Sequence, residues 1–150
     1  MSKNIILLIE DNPDDVLLTQ RALRRNQIEA DVVVKTDGAE ALDWLFASGA
    51  YSERNPAQLP SLILLDLKLP KIGGLDVLRR IREEPNTRLV RVVVLTTSRE
   101  DEDVVESYHL GASSYIRKPV DLEEFSRVIG HLGTYWLAIN EALPSRAGGG

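Results

Sequence analysis

Ser61-Leu62-Ile63-Leu64-Leu65-Asp66-Leu67-Lys68-Leu69-Pro70 joins an apolar run to a single carboxylate and a proline. The apolar run from Leu62 suits a strand buried on both faces of a parallel sheet, and Pro70 ends any extension. Asp66 closes the run, so it sits at a strand's mouth. In an open parallel sheet the carboxyl ends of the strands line the crevice in which ligands bind, which places Asp66 to react rather than to be buried.

Working outward, Ile5-Ile6-Leu7-Leu8-Ile9 is a second continuous apolar run and reads as another central strand, bounded by Glu10-Asp11-Asn12-Pro13. That boundary is also a helix start. Asn12 caps, Pro13 fits the first helical position, and Asp14 and Asp15 favour the first turn. The helix is expected to run to about residue 25. A strand follows over 31–35, then a turn at Thr36-Asp37-Gly38 and a helix over about 39–47. Residues 48–60, with Gly49, Pro56 and Pro60, read as a long surface loop. After the Asp66 strand come a helix over about 75–84, a strand over 91–96, a helix over 99–110, a short strand over 113–117 and a last helix from 120 to about 139. Five strands alternate with five helices, which predicts an α/β, doubly wound domain with a five-stranded parallel sheet. The domain is expected over 1–141, with its core at 4–139 and a flexible tail at 142–150.

Composition narrows the function. At 150 residues the chain is long enough for one good core, and its 43% hydrophobic and 27% charged residues are ordinary for a globular protein. A net charge of −5 has the wrong sign for gripping a phosphate backbone, so no nucleic-acid partner is expected. The chain has no cysteine, which excludes disulfides, thiolate metal sites and a Cys nucleophile. No apolar run approaches the roughly 20 residues that span a bilayer. A cytoplasmic protein without a membrane partner is the expectation.

Glu10 and Asp11 follow the first strand directly, as Asp66 follows the third, so a doubly wound sheet can bring three carboxylates together. At ~4 Å and an effective dielectric near 20, each ionised pair repels by about 4 kcal/mol, so such a cluster should bind a cation or hold a proton. Oxygen-only ligands favour Mg²⁺ or Mn²⁺. Taken alone, Glu10 and Asp11 are equally well read as acids in a first helical turn. Two more strand ends alter that balance: Thr96-Thr97-Ser98 ends the fourth strand and Lys118-Pro119 follows the fifth. A lone strand-end Thr or Lys is usually structural or solvated. Acid pair, central Asp, hydroxyl and ammonium, each at the end of a different strand, are far more specific together.

These pieces resemble the receiver domain of two-component response regulators. The resemblance rests on Glu10-Asp11-Asn12-Pro13, the segment from Leu64 to Pro70 with Gly74 beyond it, Val93-Val94-Leu95-Thr96, and the segment from Gly111 to Pro119. It implies the flavodoxin-like fold, (βα)5 with strand order 2-1-3-4-5, and a phosphoryl group accepted by Asp66 from a phosphohistidine. It implies Mg²⁺, with Mn²⁺ as a substitute, held by Glu10, Asp11, Asp66 and the Lys68 backbone carbonyl. Thr96 would bond a phosphoryl oxygen, Lys118 would pair with the phosphate, and Thr96 and Tyr115 would form the switch. Thr97 departs from the alanine common in relatives. Lys68 and Ser98 occupy positions that border the path of the attacking water.

Output is expected by protein binding or by passing the phosphoryl group on to a phosphotransfer protein. The 48–60 loop and the ending Tyr135-Trp136-Leu137-Ala138-Ile139 resemble the small regulators that partner cyanobacterial and bacterial phytochromes, which implies a phytochrome-type sensor histidine kinase as donor. Tyr135 and Trp136, on the apolar stripe of the last helix, are expected to face a second copy in a homodimer built from the fourth and fifth helices and the fifth strand. The protein is then no enzyme beyond its own phosphorylation and dephosphorylation. Two alternatives compete: a Mg²⁺-dependent phosphohydrolase with an aspartate nucleophile, which would want a second acid where Lys68 stands, and an adaptor receiver that is never phosphorylated. Arg79, Arg80 and Arg82 read as a solvated helix face.

Overall fold

The structure is a computed structural model that describes residues 4–25, 27–96, 110–112, 114–117, 123, 126 and 127. Its strands are β1 (Ile5–Ile9), β2 (Asp31–Lys35), β3 (Leu62–Asp66), β4 (Val92–Thr96) and β5 (Ser114–Arg117). All pair in parallel, in the order β2-β1-β3-β4-β5. The helices are α1 (Pro13–Arg25), α2 (Gly38–Phe46) and α3 (Gly74–Glu83). The architecture is the expected α/β sheet, with boundaries within a residue or so of the sequence reading. The helices expected over 99–110 and 120–139 and the tail at 142–150 lie largely or wholly outside the described residues.

Continuous apolar strands arise because both faces of the sheet are covered. Alternate residues then belong to different cores. Leu7, Ile9, Ile63, Leu65, Val92 and Val94 pack with Leu42, Leu45, Val77, Leu78 and Ile81 of α2 and α3. Ile6, Leu8, Leu62, Leu64, Val93 and Leu95 pack with Ala22 and Leu23 of α1, together with Ile116. Burying one such Leu or Ile contributes about 1.5–3 kcal/mol, so the centre of the sheet holds most of the stability and its strand mouths are rigidly placed.

The helix starts follow from their caps. Asn12 Oδ1 accepts from the amides of Asp14 at 2.8 Å and Asp15 at 3.2 Å. Asp37, in extended conformation, accepts from the Glu40 amide at 2.7 Å. That donated hydrogen bond holds the Asp37 carboxyl below the ordinary carboxylate range. A depressed folded-state value means the stabilisation is complete above the unfolded pKa near 4 and is lost as pH falls through the folded one. Asp37→Ala is therefore expected to cost about 1 kcal/mol at pH 7 and progressively less below about pH 4, measured by urea unfolding at both pH values.

Residues 48–60 are more organised than the loop expected from their glycine and prolines. A 3-10 turn spans Gly49–Tyr51. The Tyr51 hydroxyl donates to Glu40 Oε2 at 2.8 Å and accepts from Lys35 Nζ at 2.8 Å. The Arg54 guanidinium lies 3.6 Å from the centroid of the Trp44 ring and donates to the carbonyls of Trp44, at 2.9 Å, and Gln58. Asn86 Nδ2 donates to the Pro56 carbonyl at 2.9 Å. The segment thus caps the end of α2 instead of standing free of it.

Arg82 also departs from the solvated face expected of it. Its guanidinium is half-buried and donates to the carbonyls of Leu110, Arg88, Val90 and Gly111. Only Arg79 and Arg80 of that group are exposed.

Candidate functional site

Register brings the acids together. Ile9 pairs with Leu65, so Glu10 and Asp66 are the next residues along adjacent parallel strands. Ile9 and Leu65 share one core, and side chains alternate, so Glu10 and Asp66 both leave the sheet on the opposite, α1 side. Asp11 follows at the turn into α1. One carboxylate oxygen from each of Glu10, Asp11 and Asp66 lies within 4.8 Å of the others.

Asp66 is not the open carboxylate that its place at a strand mouth suggests. It is 4% exposed and Glu10 is fully buried, while Asp11 is the exposed member. On the other face α3 comes close to the backbone of the same strand end: a Cβ on Gly74 would overlap the Asp66 carbonyl oxygen and lie 2.5 Å from Leu67 Cα. The Gly74 amide donates to the Leu67 carbonyl at 3.0 Å, closing the loop between β3 and α3 over the strand end. Within it the Lys68 amide donates to Asp66 Oδ1 at 3.1 Å. Glu10 is fixed in a similar way. Its own amide donates to the Lys35 carbonyl at 2.9 Å, and its Oε2 accepts the Asn12 amide at 3.3 Å. The support from Lys35 was not anticipated, although a parallel neighbour for the first strand makes such a bond foreseeable.

The remaining expected site residues are placed only in part. Thr96 ends β4 and pairs with Arg117 at the end of β5, on the same edge of the sheet as Asp66, which pairs with Leu95. Tyr115 pairs with Val94. The side chains of Thr96 and Tyr115, and all of Lys118, Tyr135 and Trp136, lie outside the described residues.

Two buried carboxylates beside a third are electrostatically unfavourable without a counter-charge. At 4.8 Å and an effective dielectric near 20, an ionised Glu10–Asp66 pair repels by about 3 kcal/mol. Three hard oxygen donors fit a small divalent cation that keeps part of its water shell. Mg²⁺ or Mn²⁺ at about 100 times its dissociation constant is therefore expected to stabilise the protein by about 2.7 kcal/mol, a rise of roughly 5–10 °C in Tm. Asp11→Asn should remove most of that rise. Thermal unfolding with and without metal checks it, and an increment unchanged in Asp11→Asn would count against the cluster as the binding site.

Comparison with known proteins shows the family. Residues 6–129 match the response regulator receiver domain. The response regulator Rcp1 of Synechocystis sp. is 38% identical over 133 residues, covering 89% of this chain and 88% of Rcp1. A crystal structure of the Mn²⁺-bound form of Rcp1 superposes with a TM-score of 0.78 at 36% identity, covering 89% and 94% of the two chains. The phosphorylated cyanobacterial phytochrome response regulator RcpA superposes with a TM-score of 0.80 at 36% identity, covering 92% and 96%. The bacteriophytochrome response regulator AtBRR superposes with a TM-score of 0.74 at 46% identity, covering 89% and 94%. With its sheet order and strand-end acids, this chain belongs to the response regulator receiver domain family.

Proposed function

We propose that the protein is a response regulator that accepts a phosphoryl group on Asp66 from a phosphohistidine of a sensor kinase and signals through the change this makes to its surface. The observation that carries this reading is the gathering of the Glu10, Asp11 and Asp66 carboxylates, with Asp66 held by the Lys68 amide, in a chain of this family. A carboxylate oxygen of Asp66 attacks phosphorus in line. The P–N bond to the donor imidazole breaks, and the imidazole keeps the electron pair. Positioning and charge compensation supply most of the catalysis in such a transfer. Mg²⁺, or Mn²⁺ in its place, held by Glu10, Asp11, Asp66 and the Lys68 carbonyl, supplies positive charge to the phosphoryl oxygens.

Lys118 is assigned to pair with the phosphate and Thr96 to bond one of its oxygens. The product carries close to two added negative charges. Thr96 moving toward them, with Tyr115 following, turns a local charge event into a surface change. The protein then catalyses only its own phosphorylation and dephosphorylation and works in the cytoplasm, with its receiver domain over 1–141. Output goes through a protein partner or a phosphotransfer protein. A homodimer through Tyr135, Trp136 and the β5 side completes the reading.

A phytochrome-type kinase is the proposed donor, supported by the likeness to RcpA and AtBRR. Incubation with such a kinase, autophosphorylated with labelled ATP, is expected to move label to the wild type and not to Asp66→Asn. Label that stays on the kinase while a kinase of another sensor class delivers it would overturn the phytochrome assignment. A phosphohydrolase is disfavoured because Lys68 stands where its second acid is needed.

A further inference from the structure

The loop between β3 and α3 is held from outside the acidic cluster. Lys71, at φ +66°, takes a left-handed backbone that residues other than glycine seldom adopt. Its ammonium lies 3.5 Å from Asp37 Oδ2, the side chain that caps α2. At the next residue the loop abuts α2 itself. A Cβ on Gly38 would overlap the Ile72 carbonyl oxygen and lie 2.8 Å from Val77 Cγ2, so only glycine lets the two backbones come this close. At the loop's other end the Lys68 amide donates to Asp66 Oδ1.

We infer that the start of α2, Asp37 and Gly38, is a positioning device for the metal site. By seating Lys71 and Ile72 it fixes the loop whose Lys68 amide orients the Asp66 carboxylate and whose Lys68 carbonyl is the proposed further ligand. The inference rests on the proposed reading of the three acids as a divalent-metal site. Neither Asp37 nor Gly38 is among those acids, so both act through the loop. Partners that orient metal ligands typically change metal affinity about 10- to 100-fold when lost.

Mn²⁺ binding, followed by the electron paramagnetic resonance of the free ion, separates positioning from mere support of the fold. Gly38→Ala is expected to raise the dissociation constant for Mn²⁺ about tenfold. Its rate of phosphorylation by acetyl phosphate should fall most at Mn²⁺ well below saturation and recover in part as Mn²⁺ is raised, a split that a loss of stability alone would not give. Lys71→Asp, at an exposed position, keeps the test available if Gly38→Ala does not fold. It sets a carboxylate against Asp37 and is expected to weaken Mn²⁺ binding about threefold, whereas charge acting through space alone would tighten it. A folded Gly38→Ala with wild-type affinity, or a Lys71→Asp that binds equally well or better, overturns the inference. Wild-type protein that binds no Mn²⁺ overturns the reading of the acids themselves.

Discussion

Arg82→Ala is expected to destabilise the protein by about 3 kcal/mol and to lower its Tm by roughly 6–12 °C. The guanidinium donates to Leu110 at 3.2 Å, Arg88 at 2.9 Å, Val90 at 2.7 Å and Gly111 at 2.6 Å. A hydrogen bond from a charged donor contributes about 1.5–3 kcal/mol, but the exposed Arg88 and Gly111 can turn to water when it is lost, so the four do not sum in full. Burial pushes the guanidinium's pKa down, the direction expected of a charge partly withdrawn from water. Gly111, at φ +82°, lets the chain turn beneath it; a Cβ there would lie 3.1 Å from Arg82 Nε. Arg82→Lys should recover less than half of the loss, because one ammonium cannot reach carbonyls that a planar fork spans. Urea unfolding of both variants checks this. A loss below 1 kcal/mol in Arg82→Ala would mean that the carbonyls are satisfied without it.

Gly74→Ala is expected to slow phosphorylation by acetyl phosphate about 100-fold while costing about 1–3 kcal/mol of stability. The atoms its methyl would meet, the Asp66 carbonyl oxygen and Leu67 Cα, are backbone at the end of the strand that carries Asp66, and backbone cannot swing aside as a side chain does. Relief of the overlap must move either α3 or Asp66. Gly73→Ala is the control, since nothing lies within 4 Å of a Cβ there. A Gly74→Ala rate within tenfold of wild type would show that the site tolerates the shift.

The parts of this molecule that are legible in its sequence are those governed by local pattern. Leu62 to Leu65 and Ile5 to Ile9 announce central strands because a parallel sheet buried on both faces leaves no polar alternation. Parallel pairing of neighbouring strands then makes the meeting of Glu10 with Asp66 a consequence of register. Arg82 reads as solvated because its carbonyl partners lie 6, 8, 28 and 29 residues away, and helical periodicity says nothing of them. The same holds for Tyr51, whose partners Lys35 and Glu40 meet it only once α2 has folded back on the sheet. Gly38 reads as a turn residue, yet its need for glycine comes from the Ile72 carbonyl 34 residues on. The burial of Asp66 is hidden for a related reason: the strand pattern places it at a mouth without telling what covers that mouth, and the glycine pair ahead of α3 says nothing of how closely that helix meets the β3 backbone.

Under the proposed function one carboxylate, Asp66, carries the signal as an acyl phosphate. Purified protein incubated with acetyl phosphate and Mg²⁺ and weighed intact tests it most directly. The wild type is expected to gain the mass of a single phosphoryl group, to lose that gain when the metal is chelated beforehand, and to show none of it in Asp66→Asn. A wild type that never gains this mass, or an Asp66→Asn that gains it as fully, would contradict the account.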